Sequence, residues 1–446
     1  MRLSPRIAVP VAAALTIAAI IGLTFFWQIQ TSISIIENGF GVNTKIPSSL
    51  APTSSLLAPG TWTSQPDALL AQREGELAEL RGDWDSAEQL YKKSIAMNGG
   101  ASALRKLASL QMQRRKFDDA QSTIASLKRE EPNNDDTMLL EGLLQLRSGK
   151  TGAAQSTFAA RPASAQSQYG QALVAISQEN AQQAKMLLTQ AVQNTQPTIR
   201  SSAKLLLDAY NEFALFPDSG PAHLQALLGR SLAQLNECDI ALPLVAKAIA
   251  TEGSYRDAWT VKGYCEFATG QNKEALASLE RAYQLDPEKP EIQYFLARVY
   301  HALKDNTNAI TFLQYAIVND FEPENDAREL LASYALESDN VPLALQQYEA
   351  LTKKDNSSLT YFQKYVDVAL TIPAHGEDGY SMAKKAALKW PDDASSLALL
   401  AKAAAATSRL DEAQTMAKSA LKIDARNPEA LGVLQKLNTT IAPAKR

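Results

Sequence analysis

A few segments of the chain carry residue types and spacings that could do chemistry. Ser148-Gly149-Lys150-Thr151 has the tail of a phosphate-cradling loop, in which glycines let backbone N–H groups approach a phosphate and a lysine reaches its outer oxygens. That loop needs a glycine five residues before Gly149, where Leu144 stands, and no strand precedes it. The segment is therefore expected to be a plain turn. His223, His301 and His375 lie far apart, without ligand spacing, and neither H-E-x-x-H nor G-x-S-x-G occurs. Glu130-Glu131 and Asp135-Asp136 are paired carboxylates, but a catalytic pair needs an environment that splits its two pKa values; these read as exposed loop charge. No metal, cofactor or catalytic site is expected, and the chain is not expected to be an enzyme.

Composition narrows the classes further. The chain has 446 residues, 46% of them hydrophobic and 21% charged, which excludes wholesale disorder. Its net charge is −4, so it lacks the basic excess that a phosphate backbone demands, and nucleic acid is not expected as a partner. Two cysteines are too few for a zinc ribbon.

The elements that must hold any site begin with an apolar segment. Residues 7–27 form an uncharged run, about 31 Å long as a helix, the thickness of a bilayer core. Arg2 and Arg6 precede it, and no Lys or Arg follows until Lys45. The positive-inside rule then places residues 1–6 in the cytoplasm and the remainder on the outer side of the inner membrane, with 7–27 in the lipid bilayer as a single pass. A cleaved signal peptide is the rival reading, but bulky Phe25-Phe26-Trp27 stands where small residues would mark cleavage. Residues 28–66 hold only Glu37 and Lys45 as charges amid Ser, Thr, Pro and Gly, the composition of a flexible linker. From Asp67 onward the pattern is helical, and an all-α region follows.

Within that region one pattern recurs: Trp259, Gly263, Ala275, Leu279, Ala282 and Pro287, at spacings of four, twelve, four, three and five. Its alanine returns at Ala87, Ala120, Ala154, Ala184, Ala241, Ala275, Ala309, Ala344 and Ala413. The successive gaps are 33, 34, 30, 57, 34, 34, 35 and 69. The gap of 69 hides a degenerate unit around residues 361–390, and the gap of 57 holds one unit plus an additional helix near 199–216. Small residues recur twelve before the alanine, as at Gly75, Gly142, Gly229 and Gly263, and large ones four after it, as at Tyr91, Phe158, Val245 and Leu279. Pro287 and Pro391 are read as closing repeats, and Pro197 and Pro323 as closing them a little late.

This pattern resembles the tetratricopeptide repeat (TPR), a 34-residue helix–turn–helix unit. The resemblance implies a TPR-type α-solenoid, a right-handed superhelix of about ten units over residues 67–426. A capping helix and tail would follow at 427–446, covering the last apolar face. With its membrane segment the chain is similar to bacterial membrane-anchored TPR scaffolds of the cell envelope. Family members bind protein or peptide partners in a concave groove lined by the first helix, helix A, of each unit. The groove positions fall here on Tyr169, Leu173, Arg230, Tyr264, Phe267, Tyr294, Arg298 and His301, an aromatic and basic set of the kind that anchors interfaces. One subclass grips C-terminal carboxylates with Lys, Asn and Arg; the related positions here hold Gln72, Glu76, Arg105, Ser109 and Leu139 and lack that pattern. The function implied is an adaptor or scaffold mediating protein–protein contacts in the cell envelope. The alternatives are a self-associating structural component and a protein that captures peptides or unfolded clients.

Cys238 falls in the turn between the two helices of its unit, and Cys265 near the end of the next helix A. The two could approach, and outside the cytoplasm a disulfide would staple adjacent repeats. Because helix-A residues pack inward, two free buried thiols are the favoured expectation.

Overall fold

The computed structural model describes residues 65–80, 83–194, 196–355 and 358–441. Among them are twenty-two α-helices, one short 3-10 turn and no strand. The chain divides into two compact units, Met1–Pro287 and Glu288–Arg446. The first unit holds α1 (Gln65–Leu80), α2 (Trp84–Ala96), α3 (Gly100–Gln113), α4 (Phe117–Glu130), α5 (Asp135–Arg147), α6 (Thr151–Ala159), α7 (Ala165–Ser177), α8 (Ala181–Val192), α9 (Pro197–Ala214), α10 (Pro221–Gln234), α11 (Cys238–Thr251), α12 (Arg256–Ala268) and α13 (Asn272–Leu285). The second holds α14 (Pro290–Ala302), α15 (Asn306–Val318), α16 (Glu324–Glu337), α17 (Val341–Lys354), α18 (Leu359–Ala369), α19 (Gly376–Lys389), α20 (Ala394–Ala406), α21 (Leu410–Ile423) and α22 (Pro428–Ile441). Apart from α9 and α22, the helices form A–B pairs, and within each unit successive pairs pack on one another.

The pairing follows from the recurring small and large residues. All nine anchor alanines are fully buried, with 0% exposure. Each sits where helix B crosses helix A, and the residue four later fills the space beside it. Gly142 shows why the A position must be small: a Cβ there would collide with the Phe158 ring. Gly263 stands in the same relation to Leu279. The degenerate unit keeps the rule with Gly379 at the anchor, buried against Ala369 and Leu370.

The turns between paired helices share one geometry. Helix A ends on a residue with positive φ, as at Arg115 (57°), Asn236 (59°), Lys304 (67°) and Ser408 (63°). The next N–H then donates back across the turn, as from Lys116 to the Gln111 carbonyl at 2.8 Å and from Arg409 to Ala404 at 2.8 Å. This is the left-handed helix cap that satisfies otherwise orphaned carbonyls. Gly149 of the phosphate-loop look-alike is one of these caps, at φ 72°. Asn and Asp side chains start several helices: Asn134 accepts from the N–H groups of Asp136 and Thr137, and Asp393 from that of Ser396.

Two local expectations are corrected. The additional helix runs over Pro197–Ala214 rather than 199–216, and Pro197 opens it instead of closing the preceding repeat. A proline at the first helical position loses no hydrogen bond, because that N–H has no partner in any helix. The first helix begins at Gln65, inside the expected linker. Among the described residues no helix is long and apolar enough to cross a membrane, and the span expected at 7–27 lies outside those residues.

Candidate interaction surface

In the second unit the A helices are joined along one face by charged side chains. His301 Nε2 on α14 lies 2.7 Å from Glu337 Oε2 on α16. Glu329 on α16 pairs with Lys364 on α18. Lys402 on α20 donates to Asp367 on α18 at 2.6 Å and to Glu429 on α22 at 2.9 Å. The first three pairs are 36, 35 and 35 residues apart, one repeat on. Much of this row meets solvent: the side chains of Glu337 and Asp367 are 49% and 53% exposed. Burial alone would pull the Lys402 ammonium down, but the carboxylates of Asp367 and Glu429 raise it above the ordinary lysine value. Such a row can exchange its internal pairs for charged or polar groups on a partner.

The sequence-marked residues of α14 lie beside this row at different depths. Tyr294 is 3% exposed and stacks on Phe321, with ring centroids 4.3 Å apart. Arg298 sets its guanidinium 5.8 Å from the Tyr294 ring centroid. His301 stacks on Tyr334 at 3.8 Å, with the rings 6° from parallel. Burial pushes the Tyr334 hydroxyl up to about 12, so it stays protonated. Only the outer end of this group, at Arg298 and His301, reaches the surface.

In the first unit Tyr169 (5% exposed) and Leu173 (0%) belong to the core around α7. Arg230 of α10 donates to Glu212 of α9 at 2.6 Å. Tyr264 and Phe267 of α12 are half-buried, and Tyr264 packs against the same core. Tyr169 is covered from above by residues the sequence reading did not single out. Arg147, at the end of α5, makes two bonds to Glu237, Nε to Oε2 at 2.8 Å and Nη2 to Oε1 at 2.9 Å. The two side chains are 10% and 6% exposed. Arg115, in the turn before α4, reaches Asp239 at 2.5 Å. Burial raises the Asp239 carboxyl above its ordinary value, against the pull of Arg115 and Arg147. The turn before α11 thus lies across the ends of helices that precede it by about three repeats.

The cysteines of this region are joined, against the expectation of two free thiols: Cys238 and Cys265 form a disulfide with a Cα–Cα distance of 5.0 Å. Inward packing is what brings them together. Cys238 opens α11 facing the core (4% exposed), and Cys265 faces the same core from α12 (0%).

The charged row was missed because the repeat was read from its small and apolar residues and not from its charges, and the Arg147–Glu237 pair because it carries no periodic signal. The row could have been found by aligning charges on successive A helices at a 35-residue offset. A contact spanning 90 residues joins side chains of different repeats, which the spacing within one repeat does not encode.

Comparison with known proteins supports the repeat reading. Two family models, each described as tetratricopeptide repeat, match the chain, one over residues 79–137 and 266–332, the other over 227–290. No curated protein matches. Among solved structures the chain is similar to YrrB, described as a TPR protein with an unusual peptide-binding site, at 16% identity over 43% of this chain and 97% of that one, TM-score 0.34. It is similar to yeast Tom70 at 12% identity over 84% and 96%, TM-score 0.28. A Thermus thermophilus TPR protein, TTC0263, is 17% identical over 46% and 98%, TM-score 0.30. Residues 79–137 and 227–332 of this chain are tetratricopeptide repeats.

Proposed function

We propose that the protein is a non-enzymatic adaptor that binds a protein or peptide partner on the charged A-helix face of its second unit. The observation that carries this reading is the row His301–Glu337, Lys364–Glu329 and Lys402–Asp367, which repeats with the array and meets solvent at Glu337 and Asp367. Tetratricopeptide repeats are generally non-enzymatic protein-interaction scaffolds, which supports the adaptor reading. The partner suited to this face carries both charge signs and pairs with Glu337, Lys364, Asp367 and Lys402 in turn.

The adaptor is tethered through residues 7–27 to the inner membrane, with its repeats on the outer side, where it serves assembly of the cell envelope. The uncharged run and the two arginines before it support the tether. The Cys238–Cys265 bond supports the outer side, because disulfides persist in oxidising compartments and are reduced in the cytosol.

A photo-crosslinking residue in place of Glu337 in the full-length protein tests the adaptor reading in cells. It should capture a defined partner that the same residue at Lys385, exposed on helix B of its unit, does not capture. Lys364→Glu together with Lys402→Glu should abolish the capture. Equal capture from both positions, or capture insensitive to the charge reversal, would remove the basis for this face. Protease added to spheroplasts should digest the repeats, and their protection would reverse the proposed topology.

A further inference from the structure

The contact at Glu237 and Asp239 has the chemistry of a bound ligand. Arg147 presents the fork of a guanidinium to one carboxylate through two near-parallel bonds, the geometry by which arginine recognises carboxylates on partners. Arg115 presents a second guanidinium to the next carboxylate but one. The two sites form a gradient: the Arg115 side chain is 36% exposed, at a rim, while Arg147 is 10% exposed, at a floor closed by Tyr169. Stability alone does not call for charges here. A buried ion pair gains little over apolar residues of the same volume, because both ions must first lose water. What the charges add is selectivity for a segment with two carboxylates at this spacing.

The occupant comes from outside the helices that form the site. Arg115 and Arg147 belong to the second and third helix pairs, and Glu237 and Asp239 to the fifth pair, beyond the additional helix α9. Within the occupant, Cys238 lies between the two acids and is bonded to Cys265 on α12, so the presenting turn is pinned to the pair that follows it.

We propose that Arg115 and Arg147 form a carboxylate-binding site for acidic peptide segments, and that the turn bearing Glu237 and Asp239 fills it as an intramolecular ligand. The site is separate from the face of the second unit, and either reading can fail without the other. A segment of the form acid–any–acid on a partner competes with the internal turn. The disulfide holds the internal turn in place, and its reduction favours the competitor.

The test uses the full-length protein and a fluorescent peptide copying residues 235–242 with serine in place of Cys238. Wild-type protein should bind it weakly. The variant Glu237→Gln with Asp239→Asn, which empties the site of its internal carboxylates, should bind about tenfold more tightly or better, as expected for a hydrogen-bonded charge pair. Adding Arg147→Ala to that variant should abolish binding, and a peptide with Gln and Asn in place of the two acids should bind neither protein. If the emptied variant keeps its helical circular dichroism and binds no better than wild type, or binds the uncharged peptide equally, the proposal is wrong. If the variant loses its helicity, amide exchange in wild-type protein decides. Excess acidic peptide should speed exchange at 235–242 where the uncharged peptide does not, and exchange unchanged by either overturns the proposal.

Discussion

Glu88 shows how strongly one residue can be governed by its neighbours. It is 6% exposed on α2, and burial by itself would push its carboxyl up. Arg114 lies within 2.8 Å, and Lys116 and Lys92, each within 2.7 Å, hold the carboxyl down, to about 2. A carboxylate lowered in the folded state stabilises above its ordinary pKa, and that contribution is lost as pH falls toward the lowered one. Urea unfolding should therefore weaken between pH 4.5 and about 2 in part through Glu88. Glu88→Gln should cost about 1–2 kcal/mol at neutral pH and flatten that acid limb. An unchanged limb would place the acid sensitivity elsewhere. At this scale the sequence was only partly legible. Arg298 and His301 could be placed at a surface from their repeat positions, but Leu173 occupies the position equivalent to Arg298 and is core. The repeat fixes which way a side chain leaves its helix, and neighbouring chain decides whether anything covers it.

The helix pair was the most legible element, because its requirement is steric and local. A small A residue and a large B residue sixteen later recur together, and the structure puts them in contact at Gly142–Phe158 and Gly263–Leu279. Gly142→Ala should cost about 1–3 kcal/mol through overpacking against Phe158. Thermal unfolding would read the loss, and a neutral result would mean that the ring can withdraw. The turns give the opposite prediction. Ser408 holds a left-handed conformation at φ 63° on the exposed end of α20. Such a conformation costs an L-residue about 1–2 kcal/mol, which glycine avoids at some loss of chain entropy. Ser408→Gly should raise stability by about 0.5–1 kcal/mol. The first residue of α9 was harder to read, since proline marks a helix start as readily as a helix end.

For the molecule as a whole, the disulfide is the clearest quantity to measure. It closes a separation of 27 residues between adjacent pairs of the first unit. Denatured protein should show no thiol toward a reagent before reduction and two afterwards. Replacing both cysteines by serine should lower the unfolding free energy of that unit by about 2–4 kcal/mol, the range for loops of this size. Two free thiols before reduction would remove both the bond and its proposed hold on the acidic turn. The repeated helix pair was legible at this scale, since nine alanines recur nearly in register. Long-range closure was not, because it joins side chains 90 residues apart that no single repeat contains.

That closure changes how the first unit would answer a pull. An ordinary stack of repeats extends by yielding one neighbour contact after another, so its length grows in small steps. Arg147 and Glu237 hold points 90 residues apart. While they stay joined, about 300 Å of chain contour between them is withheld from the applied force, at roughly 3.3–3.6 Å per residue. Drawn out from its two ends, the unit would stay short and stiff and then lengthen in one large event, as a mechanical fuse does.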